Sequence, residues 1–268
     1  MPSRPSLHLT LSVALASLVA GCASPGPAGI TIDRSITARS QDSRVQFLVL
    51  HYTAADRQRA LHLLSKGEVS SHYLVTDDEP ARVLQLVDEN RRAWHVGASQ
   101  WRGRTWLNAS AIGIEIVNPG FTTLPDGRRQ WHPYSDSQIA TVIALVRDIA
   151  ARHGIAPQDI VGHSDVAPLR KQDPGPLFPW ARLAAEGLGR WYEPAAVAAH
   201  RLRFERDGLP QVTWFQQQLA RLGYAVPLHG MLDEATMTVL AAFQMHYRPQ
   251  DIRGMPDAET AAILAALA

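Results

Sequence analysis

Hydrophobic residues recur along this chain with two different periods. In RVQFLVLHY (residues 44–52) both faces are apolar, with Val45, Phe47 and Val49 alternating with Leu48 and Leu50. Such a run is expected of a central strand in a sheet covered on both sides. SHYLVT, RVLQLVD and AIGIEIV predict three further strands. A helical period takes over in SDSQIATVIALVRDIAARHG, where Ile139, Val142, Ile143, Val146 and Ile149 form one stripe. Ser135 and Gln138 give this helix a capping box, and Gly154 stops it. From Arg44 to about Trp191 the mixture predicts an α/β fold, a mixed β-sheet flanked by helices.

The end of the chain is all helical in pattern. GMLDEATMTVLAAF (230–243) returns 24 residues later as GMPDAETAAILAAL (254–267), with seven of fourteen positions identical. Each copy reads as a glycine turn, an Asp at the helix N-cap and an amphipathic helix. Val212, Phe215, Leu219 and Leu222 mark a helix before them, so a small three-helix unit is expected over residues 208–268. Two copies are too few for a solenoid. The pattern FQQQLARLGY…G…D…T…L…FQ resembles the small peptidoglycan-binding domain found at the ends of many wall hydrolases. Helix patterns alone do not name ligands, so a helical spacer or dimerisation module is the weaker alternative. The Ala-rich, charged stretch 192–207 is expected to be a linker. The separate apolar patterns on its two sides predict parts that fold independently.

Charge excludes one partner class. Without the first 21 residues, whose only Lys, Arg, Asp or Glu is Arg4, basic and acidic groups stand at 25 each. No clustered basic face is expected, so nucleic acid is not a predicted partner. The first residues change the picture more. Arg4 precedes LHLTLSVALASLV, an apolar run of 13 residues that fits a secretory h-region and is too short to span a bilayer. Small residues then lead into Cys22, the only cysteine. VAGC resembles the lipobox of bacterial lipoproteins, which implies a signal peptide over 1–21 and lipidation of Cys22. A lone thiol in an exported chain otherwise lacks an explanation. Several acyl chains on one residue anchor stably. Ala23 after the cysteine, rather than Asp, resembles an outer-membrane address. Residues 22–43, with SPGPAG, read as a tether and N-terminal segment.

Candidate chemistry concentrates in VGHSDVAPLRKQDPGPLFPW (161–180). Its prolines and glycines predict an irregular, stiff loop with neither helix nor central strand. His51 ends the apolar strand and His163 ends IVGH, and strand ends at one sheet edge are where open α/β sheets build sites. One strand-end His is more often a hydrogen-bonded structural residue than a ligand. Two of them, together with Asp173 in the stiff loop, shift the balance toward a metal. Two imidazoles and a carboxylate with a fourth position open suit zinc, which lowers the pKa of bound water to about 7. The spacing alone carries no local signature. Glu115 stands in AIGIEIV on the face opposite Ile112, Ile114 and Ile116, where it is either a working carboxylate or an edge-strand residue facing water. Lys171, taken alone, reads as a solvated loop lysine.

HYTA, SSHYLV, AWHVG, IGIEIVNPG and GHSDVAPLRKQDPGPLFPW, in that order, resemble the zinc-dependent N-acetylmuramoyl-L-alanine amidases related to peptidoglycan recognition proteins. The resemblance spans His51 to Trp180 within an expected amidase domain at 44–191. It implies peptidoglycan or muropeptides as substrate, Zn2+ as cofactor, and His51, His163 and Asp173 as metal ligands. It also implies that Glu115 is the general base and that Lys171 stabilises the oxyanion. Trp94 and His95 are expected to line the cleft as substrate-binding residues, although a buried core Trp fits position 94 equally. The implied location is the periplasmic face of the outer membrane, with membrane contact through the lipid anchor. Two rival readings follow from the same residues: a non-catalytic wall-binding lipoprotein, and a zinc endopeptidase of peptide cross-links. A serine hydrolase is excluded by the lack of a GxSxG elbow, and a cysteine hydrolase by the position of Cys22.

Overall fold

The strand that is apolar on both faces lies inside a sheet. The computed structural model describes residue 30 and residues 32–267, so the signal segment and Cys22 lie outside the described residues. Among the described residues there are nine strands: β1 (Phe47–Tyr52), β2 (Tyr73–Val75), β3 (Val83–Gln85), β4 (Gln100–Trp101), β5 (Arg104–Thr105), β6 (Ala111–Ile116), β7 (Phe121–Thr123), β8 (Arg129–Trp131) and β9 (Ile160–Gly162). Five of them form one mixed sheet in the order β3-β2-β6-β1-β9. β1 runs parallel to β6 and β9, β6 runs parallel to β2, and β3 closes one edge antiparallel. The pairs β4–β5 and β7–β8 are separate two-stranded ribbons.

Eight helices accompany them: α1 (Arg57–Lys66), α2 (Asp136–His153), α3 (His163–Val166), α4 (Trp180–Ala185), α5 (Pro194–Asp207), α6 (Val212–Leu222), α7 (Glu234–Tyr247) and α8 (Ala258–Leu267). α2 has the expected ends. Ser135 and Gln138 exchange the two capping-box hydrogen bonds, and Gly154 closes the helix at φ 68°. Its stripe packs on Leu48, Leu50, Ile112 and Ile114. The alternate residues Phe47, Val49 and Ala111 face the other way and join Phe215, Leu219, Val239, Leu240 and Phe243 in one core. Full burial of each such large side chain contributes about 1.5–3 kcal/mol.

Two expectations are corrected here. Residues 163–166 are helical although a loop was expected throughout 161–180. Every proline of that stretch lies at 168 or beyond, so Ala167 N–H is free to bond His163 C=O and close the turn. Residues 192–207 are not an open linker: 194–207 form α5, with Pro194 in its first turn, while the three helices expected beyond residue 208 are present as α6, α7 and α8. Residues 43–268 form a single compact unit, and Phe47 and Val49 of β1 belong to the same hydrophobic core as residues of α6 and α7. The other unit, residues 1–42, has neither helix nor strand in its described part.

The sequence echo has a structural counterpart that extends back to two glutamines. Gln216 Nε2 donates to Met231 C=O and Thr236 Oγ1, while its Oε1 accepts from Gly230 N–H. Gln244 repeats this with Met255, Thr260 and Gly254. Asp233 and Asp257 cap α7 and α8 by accepting from Thr236 N–H and Thr260 N–H.

Candidate active site

Parallel register assembles the site. His51 on β1 stands directly beside Glu115 on β6, at the C-terminal ends of both strands. Both side chains belong to the face opposite Leu48 and Leu50. β9 ends at Gly162, which delivers His163 to the same edge. Asp173 returns from the stiff loop, held by Ser164 N–H donating to its carbonyl at 2.8 Å. Lys171 completes a cavity of about 180 Å³ whose wall includes His51, Trp94, His95, Glu115, His163 and Asp173.

Three atoms converge inside it. His51 Nδ1 lies 2.8 Å from Asp173 Oδ2 and 3.0 Å from His163 Nδ1, and His163 Nδ1 lies 3.0 Å from the same carboxylate oxygen. All three residues are buried. His163 Nε2 is 3.2 Å from Val96 C=O, which only accepts, so Nε2 carries the proton and Nδ1 keeps its lone pair. His51 Nε2 is 3.0 Å from His95 Nδ1, which lets it donate there and leave its own Nδ1 bare. Burial and then the neighbouring His163 push the His51 pKa down to about 4, which keeps the ring neutral. Burial opposes charge on Asp173, but His163 and His51 outweigh it and hold the carboxyl below the usual range. Three lone pairs thus face one another, an arrangement that a bound cation stabilises. Two nitrogens and one oxygen form a donor set suited to zinc.

Glu115 is partly covered, yet its Oε2 is buried without a hydrogen-bond partner. Burial, and then Asp173, raise its pKa well above the ordinary carboxylate value, while Lys171 opposes them. Trp94 is 53% exposed at the rim, which removes the buried-core alternative, and Arg92 lies over its ring at 4.1 Å. His95 lines the cavity but is itself buried and committed to His51. Its place depends on Gly113, where an added Cβ would meet His95 Nδ1 at 2.5 Å. That glycine in AIGIEIV was the sequence signal for the contact. His72, the histidine of SSHYLV, accepts from Gly113 N–H through Nδ1 and donates to Arg91 C=O through Nε2. Arg170 braces the loop by donating to Val96 and Ala98 carbonyls.

The chain matches the family described as N-acetylmuramoyl-L-alanine amidase over residues 41–176, and a putative peptidoglycan binding domain over 209–264. It is 42% identical to the N-acetylmuramoyl-L-alanine amidase AmiD of Escherichia coli, over 95% of each chain. Among solved structures it resembles AMPDH3 from Pseudomonas aeruginosa in complex with anhydromuramic pentapeptide, with a TM-score of 0.82, 41% identity, and 89% and 97% of the two chains covered. The AmiD complex with anhydro-N-acetylmuramic acid-L-Ala-D-gamma-Glu-L-Lys gives a TM-score of 0.81 at 40% identity, with 90% and 95% covered. With likeness over nearly its whole length, and with its two histidines and aspartate gathered at the strand ends, the chain belongs to the N-acetylmuramoyl-L-alanine amidase family.

Proposed function

We propose that this amidase hydrolyses the amide joining the lactyl group of N-acetylmuramic or anhydromuramic acid to L-alanine, using one zinc ion held by His51, His163 and Asp173. The observation that carries the reading is the triangle of bare ligand atoms 2.8–3.0 Å apart beside a carboxylate without a partner. When bound, the ion polarises the scissile carbonyl and acidifies water. Glu115 accepts the proton that the attacking water loses and passes it to the departing alanine nitrogen. Its raised pKa matches that double duty. Lys171 directs positive charge at the carbonyl oxygen as negative charge develops there. Trp94 offers an exposed aromatic face to the sugar or the stem peptide. His95, first expected to bind substrate, fixes the orientation of His51 from within the cavity wall.

Residues 208–268 hold the enzyme on insoluble wall, in keeping with their family match. Signal cleavage before Cys22 and lipidation of its thiol place the enzyme on the periplasmic face of the outer membrane. Incubation of the purified chain with muropeptides, followed by mass spectrometry, tests the activity. Release of an intact stem peptide beginning with L-alanine is expected. Products cut only within the peptide would establish an endopeptidase instead. Fractionation of a Cys22→Ala variant tests the anchor: loss of membrane association is expected, and retention with lipid label would refute it.

A further inference from the structure

Asp165 is the most completely enclosed carboxylate of the metal loop, with 0% exposure, and its partners come largely from the other end of the chain. Its Oδ2 accepts from Gly162 N–H at 2.7 Å and from His246 Nδ1 on α7 at 2.8 Å. Its Oδ1 accepts from the hydroxyl of Tyr224, just beyond α6, at 2.6 Å. Both partners are themselves fixed. The His246 ring is stacked between Trp180 at 3.9 Å and Tyr247 at 4.1 Å, and Tyr224 meets Trp101 edge-on. His246 Nε2 is buried without a partner, so Nδ1 is the nitrogen that bonds. Short hydrogen bonds to a buried carboxylate are strong, and losing one leaves a charged oxygen unsatisfied.

Asp165 also lies two residues beyond His163 on the same helical turn, and the intervening Ser164 N–H bonds the carbonyl of Asp173. A shift of this turn therefore moves two of the three metal ligands together. We propose that Tyr224 and His246 are positioning residues of the metal site, acting through Asp165, so that helices matched to a wall-binding domain set metal affinity. The inference rests on the zinc reading above and extends it. Partners beyond the ligands typically alter metal affinity by about 10–100-fold when removed.

The test uses the full chain and zinc alone, titrated against a competing chelator, with the visible spectrum of the cobalt-substituted protein as a second readout. Tyr224→Phe removes one oxygen, and His246→Phe keeps an aromatic stack without the donor. Each is expected to weaken zinc binding about 10-fold and to change the cobalt spectrum. His246→Asn, which returns an N–H near the Nδ1 position, is expected to recover most of the affinity. Gln244→Ala loosens the same helix without touching Asp165 and is expected to leave affinity near that of the unaltered chain. Should His246→Phe fail to fold, Tyr224→Phe decides the matter, since it changes no packing volume of consequence. Unaltered zinc affinity and cobalt spectra in folded Tyr224→Phe and His246→Phe would overturn the proposal. So would an equal loss in Gln244→Ala. These readouts need no muropeptide, so a chain that binds zinc normally yet cleaves nothing would refute the amidase reading alone.

Discussion

Two buried polar clusters in this molecule obey opposite rules. In the helical region, the side-chain amide oxygens and nitrogens of Gln216 and Gln244 all find partners, each tying one helix to the glycine turn and cap of the next. At the strand ends, Glu115 Oε2 and His95 Nε2 are buried without partners, and three ligand lone pairs face one another. A satisfied buried network specifies a fold, whereas an unsatisfied one lowers stability unless something else binds there. The first cluster is structural. In the proposed reading, metal and substrate supply the missing partners of the second.

The comparison can be broken most severely at the ligands. Asp173→Ala should lose zinc and reduce turnover of a soluble muropeptide by about 1,000-fold, the several kcal/mol that a metal supplies to charge stabilisation. Metal analysis beside a kinetic assay checks both, and undiminished turnover in metal-free protein would end the zinc reading. Glu115→Gln keeps shape but accepts no proton, so turnover should fall by about 100-fold with zinc retained. Near-normal turnover would assign the proton to another group.

Changes in the satisfied cluster should move stability instead. Gln244→Ala leaves Gly254 N–H and two acceptors without their partner, and should lower stability by about 2 kcal/mol while turnover of the folded enzyme persists. Thermal melting with a parallel assay separates the two effects. The smallest change concerns Glu89, which accepts from Tyr73 Oη and Arg152 and binds His153, joining β2 to the end of α2. Arg152 is the main cause holding its pKa near 2 rather than 4.5, against the opposing effect of burial. A carboxylate with a depressed pKa stabilises the fold above its unfolded value, and the stabilisation fades as pH falls toward the folded one. Glu89→Gln should therefore cost about 1 kcal/mol or less at neutral pH, because Arg152 is solvent-screened. The difference from the unaltered chain should shrink between pH 4.5 and about 2, as followed by melting.

Local pattern carried a large part of the fold. The both-faced strand at 47–52, the capped helix at 136–153 and the repeated turn-cap-helix units follow from periodicity and short-range caps, which need no distant partner. The candidate site was legible only in part. His51, His163 and Asp173 were singled out by strand-end position, stiff-loop setting and family resemblance, and the fold brings them together. Gly113, whose missing Cβ admits His95, gave a faint signal inside its strand. His246 gave none, because one histidine on an apolar helix looks like any other until its neighbour across the fold is known.

By itself the sequence determined the central strands, the capped helix at 136–153, the internal repeat with its Asp caps and the residues able to ligate a metal. Each of these depends on side chains a few positions apart, or on the kind of donor atom a side chain carries. The tertiary structure alone decided the register that sets His51 beside Glu115, the tautomers implied by Val96 and His95, and the union of the helical region with the sheet in one core. It also decided that Asp165 meets Tyr224 and His246, 59 and 81 residues away in the chain. Those features arise where burial forces polar atoms from distant segments to satisfy one another, and no local period encodes which segments will meet.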